Sequence, residues 1–566
     1  MKKIYISSYH VVLLAISTLF WIYLIGLEYA NPINLKWLNS GDLSTYQLGW
    51  QYFREDTWRF PIGLNPNYGI NSDSNIVYSD SIPLFAIIFK IFNFFLPNNF
   101  QYFSIWILLC LYLQVFFAYK IIFSETKNNL FSIVGSLFFL FASILIHRSG
   151  IHLSLLAHWL ILSGIYIEIS NHKKKNLFRL INLVLSVSIH FYFTLMLIIL
   201  IFFQDLYKFL ILKKSLIKIV KNFSLLIIST IFFMYILGYF SIGLDDGLGW
   251  GYGYYNFNLN SFFNPSGFNN NLNISWSNYL NNLEYQNGEL EGFAYLGLSG
   301  IVFLILFGFN LIKGKYVIFF KNLNWIFIFI PFLIISISNN VNLGVLNLFY
   351  VDLNKYIYAF LSIFRASGRL IWPIFYFVFI VGIIFIFKYF KSRSILILLL
   401  LFFIQLTDLQ NGLKNYKFGT QYFNLSKIKQ NKFWNNLSVQ FEEIKLIESK
   451  NQSKIYNILS AYLIEENFLR TDLINLARIN REKTTFAKYK LINEFKDKNI
   501  NIFNNSLFLS DNYNYVSYIK YLFEEDVFFY FVDDIWVLTN KKIKNLKSDN
   551  SEFIKIPKID SKKTTI

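Results

Sequence analysis

SIPLFAIIFKIFNFFL, residues 81–96, decides the topology of this chain. Read as a span, it would turn the basic cluster Lys173–Lys175 to the exterior. Read as a short amphipathic helix along the interface, it leaves Lys2–Lys3, Lys173–Lys175, Lys213–Lys221, Lys313–Lys321 and Lys388–Arg393 on one side. Basic residues collect on the cytoplasmic side of membrane proteins. The interfacial reading is therefore preferred, and Lys90 suits such a helix.

The composition supports the membrane setting. Of the 566 residues 55% are hydrophobic, 20% aromatic and only 15% charged, against about a quarter charged in soluble proteins. A net charge of +18 invites a nucleic-acid reading. That reading fails, because the basic residues are scattered between apolar runs as topology signals. The single cysteine, Cys110, excludes an internal disulfide and a paired-cysteine metal site. The apolar N-terminal stretch is long, with no small-residue cleavage site after it, and is expected to be a retained span.

Spans need roughly 20 apolar residues, fewer where the helix is short. The expected fold is an α-helical multi-pass membrane protein of about 11 transmembrane helices, with interfacial helices in its first external loop. The apolar stretch 177–212 is too long for one helix and is expected to break at His190–Tyr192. The transmembrane domain is expected over 1–410, with external loops 30–99, 242–295 and 341–369. The largest of these, 242–295, carries Asp245, Asp246, Glu284, Glu289 and Glu291 but no Lys or Arg. An extracytoplasmic α+β domain is expected over 411–545, and a basic, flexible tail over 546–566. Within that domain KIYNILSAYLI and the FFYFVDDIWVLTN hairpin read as strands.

Four outward patches carry the candidate site. The first loop places Asp42 in NSGDLSTYQLGWQYFR and Asp80 in YSDSIP; Asp80 equally suits a helix start there. In HRSGIHLSLLAHW, Arg148 ends one span and needs an anionic partner or water. His152 and His158 lie six positions apart, a spacing that does not put both rings on one helical face. Hydrogen bonding between spans is their plainer role, while His147, His152 and a carboxylate could still form an open metal site. No cofactor is called for, and a divalent metal has no motif to support it. In FRASGRLIWP, Arg365 and Arg369 would share one side of a helical start, and arginine forks suit phosphate oxygens; snorkelling to lipid phosphates is the alternative. Glu291 and Tyr295 stand at the mouth of the next span in YQNGELEGFAYLGLSG. Together these parts suit a lipid-linked phosphosugar: arginines for its phosphate and a carboxylate to deprotonate the acceptor hydroxyl.

A multi-pass chain with an acid in its first external loop, interfacial helices there and a C-terminal external domain resembles the GT-C superfamily of polyprenyl-phosphate-sugar-dependent glycosyltransferases. The segments GDLSTYQLGWQYFR, FPIGLNPNYG, YSDSIPLFAIIFK, HRSGIHLSLLAHW, EGFAYLGL and FRASGRLIWP are most similar to a bacterial family of multi-pass GT-C-like proteins that carries no assigned activity. The resemblance covers most of 35–410. It implies a catalytic base at Asp42, with Asp80 as a second acid in place of the Asp-Glu pair often found there, and a phosphate ligand at Arg365 or Arg369. Arg148, His152, His158, Glu291 and Tyr295 would line the substrate cavity. It also implies a polyprenyl-phosphate-linked sugar and an extracytoplasmic acceptor as partners, in the bacterial inner membrane with the N-terminus cytoplasmic. Two rivals stand beside it: a transporter or flippase for a lipid-linked anion, and a non-enzymatic cell-envelope assembly protein.

Overall fold

The computed structural model describes residues 8–543 apart from 40, 151, 243–250, 270–271, 313–325, 418–431, 436, 467 and 524–525. Asp245, Asp246, the Lys313–Lys321 cluster and the basic tail 546–566 lie outside the described residues. In chain order the first helices are α1 (Ser8–Ala30), α2 (Gly41–Glu55), α3 (Pro83–Ile91), α4 (Phe103–Thr126), α5 (Asn129–Leu140) and α6 (Ser143–Ser149). There follow α7 (Trp159–Ile169), α8 (Lys175–Val187), α9 (Phe191–Leu210), α10 (Leu216–Leu237), α11 (Gly297–Ile312) and α12 (Ile326–Ile337). The last are α13 (Lys355–Ser362), α14 (Trp372–Phe390) and α15 (Ser394–Asn415).

Among the described residues five helical segments are long and apolar enough to cross a membrane, or six if α5 and α6, bent by 50°, form one. The long apolar stretch after 177 does break, at Ser188–His190. There the His190 side chain accepts from the Tyr192 backbone N–H and starts α9, satisfying one of the orphan donors of a helix start. The segment that opened the sequence reading forms α3, nine residues long and too short to span. Its Lys90 ammonium lies 4.0 Å from the Phe53 ring centroid and 4.8 Å from that of Trp58.

Contacts divide the chain into two compact units, and the division differs from the expected boundary at 410. One unit comprises 1–34, 101–233 and 247–422; the other joins 35–100 and 234–246 to 423–566. The first is helical, with α1, α4 and α5 packed together and α14 packed against α4, α11 and α15. Its loops carry two small antiparallel pairs, β1 (Ser266–Asn269) with β2 (Leu272–Ser275) and β3 (Asn340–Leu343) with β4 (Leu346–Tyr350).

In the second unit a five-stranded sheet has the order β6-β5-β7-β9-β8. Its strands are β5 (Glu443–Leu446), β6 (Arg470–Thr471), β7 (Ser506–Ser510), β8 (Phe528–Val532) and β9 (Ile535–Thr539). Strand β5 runs parallel to β6 and β7, while β9 is antiparallel to β7 and β8. The FFYFVDDIWVLTN hairpin forms, with Asp533 and Asp534 both left-handed at its turn, as a two-residue hairpin requires. The KIYNILSAYLI reading is corrected: Lys454–Glu465 is a helix. Ser453 caps it by accepting from Tyr456 N–H, and Ile455, Leu459 and Leu463 recur at helical spacing to face the core.

The first loop is part of this unit because it completes that core. Leu48, Tyr52 and Tyr68 are buried together with Trp434, Tyr456, Leu459 and Leu507. Backbone bonds stitch the loop to the strand edge: Thr471 N–H donates to Asn67 O at 2.9 Å and Gly69 N–H to Thr471 O at 2.7 Å. A folded loop with buried apolar side chains needs such pairing, since its backbone groups are cut off from water.

Candidate functional site

The helical unit gathers its charged outer-loop residues around one carboxylate. Glu291 sits in the 3-10 turn Glu289–Gly292, Arg369 in the 3-10 turn Ser367–Ile371 before α14, and Arg148 near the end of α6. Glu291 Oε2 accepts from Arg148 Nη2 at 2.8 Å and from Arg369 Nε at 2.9 Å. Two glycines let the turns approach: a Cβ on Gly368 would lie 2.6 Å from Gly292 Cα, and one on Gly292 would lie 2.4 Å from Asn256 O. Any larger residue there would push Glu291 away from Arg369.

Aromatic faces support both guanidiniums. Arg148 lies 5.6 Å from the Trp372 ring centroid and Arg369 4.9 Å from that of Tyr192. Such placement attracts cations electrostatically and fixes the planes of the two forks. Burial alone would raise the Glu291 carboxyl, but the Arg148 and Arg369 guanidiniums outweigh it and hold it well below the usual carboxylate range. Among the described residues the two guanidiniums share one carboxylate, that of Glu291. Among the described residues, Arg148 Nε and Nη1 make no hydrogen bond. The arrangement can accept an anion.

Arg365 is placed otherwise than its spacing suggested. No helix starts at 365; Ala366 is extended out of the helical region, with φ −91° and ψ 67°. The two side chains therefore do not stack on one helical face. Arg365 is exposed and makes no ion pair among the described residues. Its charge is still felt at Tyr255, whose hydroxyl burial pushes up and both Arg365 and Arg369 pull down.

His152 is half-buried just before the 3-10 turn Leu153–Leu156, and its charge reaches Glu291. His158 is fully buried: its Nδ1 bonds the Tyr376 hydroxyl at 2.7 Å, and its ring stacks on Trp372 at 4.3 Å. It thus touches the same indole that supports Arg148. Tyr295 is buried too, and donates to Asp408 Oδ2 at 2.7 Å. The same oxygen accepts Leu298 N–H at 2.9 Å, so this pair ties the start of α11 to α15. Trp372 and Tyr192 were not singled out from sequence. Their signals were present, as the tryptophan in FRASGRLIWP and the tyrosine at the expected break.

Asp42 and Asp80 belong to the other unit. Asp42 is half-buried in the first turn of α2, where the helix dipole favours a negative charge. In the same turn, Ser44 Oγ and Thr45 Oγ1 bond the Tyr456 hydroxyl at 3.0 Å and 3.1 Å. Burial raises that hydroxyl, and the Asp42 carboxylate raises it further. Asp80 has φ 53° in the turn before α3. It is not the cap of that helix: Ile82 holds the cap position, without a side-chain bond, and Pro83 follows. The turn packs on α2 at Gly49, where a Cβ would meet Ser79 Oγ at 2.3 Å. Among the described residues no three His, Cys, Asp or Glu side chains converge as a metal site.

The family model described as "Domain of unknown function (DUF6311)" matches residues 14–410. The chain belongs to that family. No curated protein matches it. Among solved structures it is similar to the Archaeoglobus fulgidus oligosaccharyltransferase in the apo form, with TM-score 0.46 and 11% identity over 95% of this chain and 75% of that one. The same enzyme tethered through a disulfide to an acceptor peptide containing the NVT sequon gives TM-score 0.45 and 11% identity, over 95% and 74%.

Proposed function

We propose that this DUF6311 member is a GT-C-type membrane glycosyltransferase. It moves a sugar from a polyprenyl-phosphate-linked donor to an extracytoplasmic acceptor hydroxyl on a glycan, lipid or protein. The chain lies in the bacterial inner membrane with its N-terminus cytoplasmic and its C-terminal domain outside. The observation that carries the reading is the pair of arginines sharing Glu291 Oε2, with Arg148 Nε and Nη1 making no hydrogen bond among the described residues.

In this reading Arg148, Arg369 and Arg365 take the donor phosphate, the group that accumulates charge as the anomeric C–O bond breaks. Preorganised donors aimed at developing charge are the largest single source of such stabilisation. Asp42 takes the proton from the acceptor hydroxyl as its oxygen attacks the anomeric carbon. One displacement inverts that carbon; the sugar gains the acceptor oxygen and polyprenyl phosphate leaves. Asp80, His152, His158, Glu291 and Tyr295 position or line the substrate.

The test is to incubate the purified full chain with polyprenyl-phosphate sugars and measure release of polyprenyl phosphate. Asp42→Asn is expected to abolish transfer while leaving expression and melting temperature intact. Arg369→Ala is expected to lower it by roughly 100-fold or more. Undiminished transfer in Asp42→Asn would refute the base assignment.

A further inference from the structure

Asparagine is the structural tool of the large loop. Asn258 donates to Glu289 Oε2 at 2.7 Å and Gly344 O at 2.8 Å, and Asn342 donates to Glu289 Oε1 at 2.8 Å. Asn264 accepts Leu283 N–H at 3.0 Å and donates back to Leu283 O at 2.9 Å, while Asn260 donates to Glu284 O at 3.2 Å. Burial raises the Glu289 carboxyl, and the two asparagine bonds only partly offset this. Leu283 and Glu284 are therefore held at their backbone, and Glu289 at its carboxylate, by amides behind them.

Three polar side chains of that stretch take no part in the scaffold. Asn282, Glu284 and Asn287 are exposed, and among the described residues their side chains make no hydrogen bond or ion pair. All three line one cavity of about 410 Å³, together with Tyr285, Leu290 and Val345. That volume falls within the roughly 300–1,000 Å³ usual for small-molecule sites. The wall alternates amide and carboxylate groups with one aromatic ring and small aliphatic patches. Among the described residues it contains no Lys or Arg, and neither does the sequence from 242 to 295.

We infer that this cavity is a binding subsite for an uncharged carbohydrate. A sugar ring presents hydroxyls at its edge and C–H groups on its faces, which matches free amides and a carboxylate beside Tyr285. The missing cations exclude a phosphate as the ligand, and the polar half of the wall excludes a lipid tail. A scaffold already held by Asn258, Asn260, Asn264 and Asn342 lets the site bind without ordering its loop first. Leu290 lines the cavity, and the next residue is Glu291, so one 3-10 turn serves both the subsite and the arginine pair. The inference goes beyond the transfer reading and does not depend on Asp42 or on any donor.

The test uses the full chain in detergent, titrated with neutral hexose and N-acetylhexosamine oligomers of roughly two to six units and followed by calorimetry. Wild-type protein is expected to bind at least one series. The double variant Asn282→Ala/Asn287→Ala is expected to weaken that binding roughly tenfold or more, since each lost hydrogen bond counts for about 1 kcal/mol. Both positions are exposed, so an unchanged melting temperature shows that the fold is kept. Absence of binding to every oligomer, binding unaffected by the double variant, or binding of unglycosylated peptides at this cavity instead would overturn the inference.

Discussion

Two arginine–carboxylate clusters in the helical unit use the same residue types to different ends. In the cluster of α7, α8 and α9, Arg179 meets Glu168 through Nε at 2.6 Å and Nη2 at 2.8 Å. It meets Asp205 through Nη1 at 3.0 Å and Nη2 at 2.9 Å, and Lys208 reaches both acids. Every face of that guanidinium is occupied. At Glu291 two guanidiniums instead share a single oxygen, and among the described residues Arg148 Nε and Nη1 make no hydrogen bond. The first cluster is a closed joint between helices; the second has capacity for a ligand. The difference also bears on the transporter rival, because Glu168 and Asp205 are tied down rather than poised to bind and release a coupling ion.

The sharpest way to break this comparison is Arg179→Ala. It leaves two buried acids facing only lysines, and removing one partner of a buried pair costs about 3–5 kcal/mol. A large fall in folded yield and melting temperature is expected; an unchanged melting temperature would mean the joint is not needed. Next comes Glu291→Gln. With no carboxylate between Arg148 and Arg369, binding of inorganic pyrophosphate is expected to tighten roughly tenfold or more, the lower end of the effect of a charged hydrogen bond. Unchanged affinity measured by calorimetry would make that cluster a brace like the first.

The smallest effect concerns a buried acid with no arginine at all. Burial pushes the Asp472 carboxyl up to about 7, against the lowering effects of the Leu446 N–H and Lys445. Glu291, flanked by two guanidiniums, moves the opposite way. Because the folded-state value of Asp472 lies above the unfolded one, its protonated form is favoured by folding. That contribution is fully present below pH ~4 and is lost as pH rises through about 7. Wild type and Asp472→Asn should therefore melt alike near pH 4. Above pH 7 the variant should be the more stable. A gap that is constant with pH would show that Asp472 does not titrate there.

Local patterns were readable where one segment carries its own reason. The break before α9, the short helix at 83–91 and the Asp533-Asp534 hairpin all follow from nearby residues. KIYNILSAYLI was misread because its β-branched and aromatic residues suggested a strand, while the cap at Ser453 and the spacing of Ile455, Leu459 and Leu463 favoured a helix. Arg365 and Arg369 stand out in the sequence as a basic patch, but a shared face needs a helical start that Ala366 does not make.

By itself, the sequence determined the membrane class, the placement of the apolar helices and the residue types gathered in the outer loops, because hydropathy and charge act over a few turns of chain. Only the tertiary structure decided that Glu291 meets Arg148 from 143 positions away and Arg369 from 78. It alone joined the first loop to the C-terminal sheet through Tyr68 and Thr471. Such pairings depend on which surfaces bury each other, and burial between distant segments leaves no periodic mark along the chain.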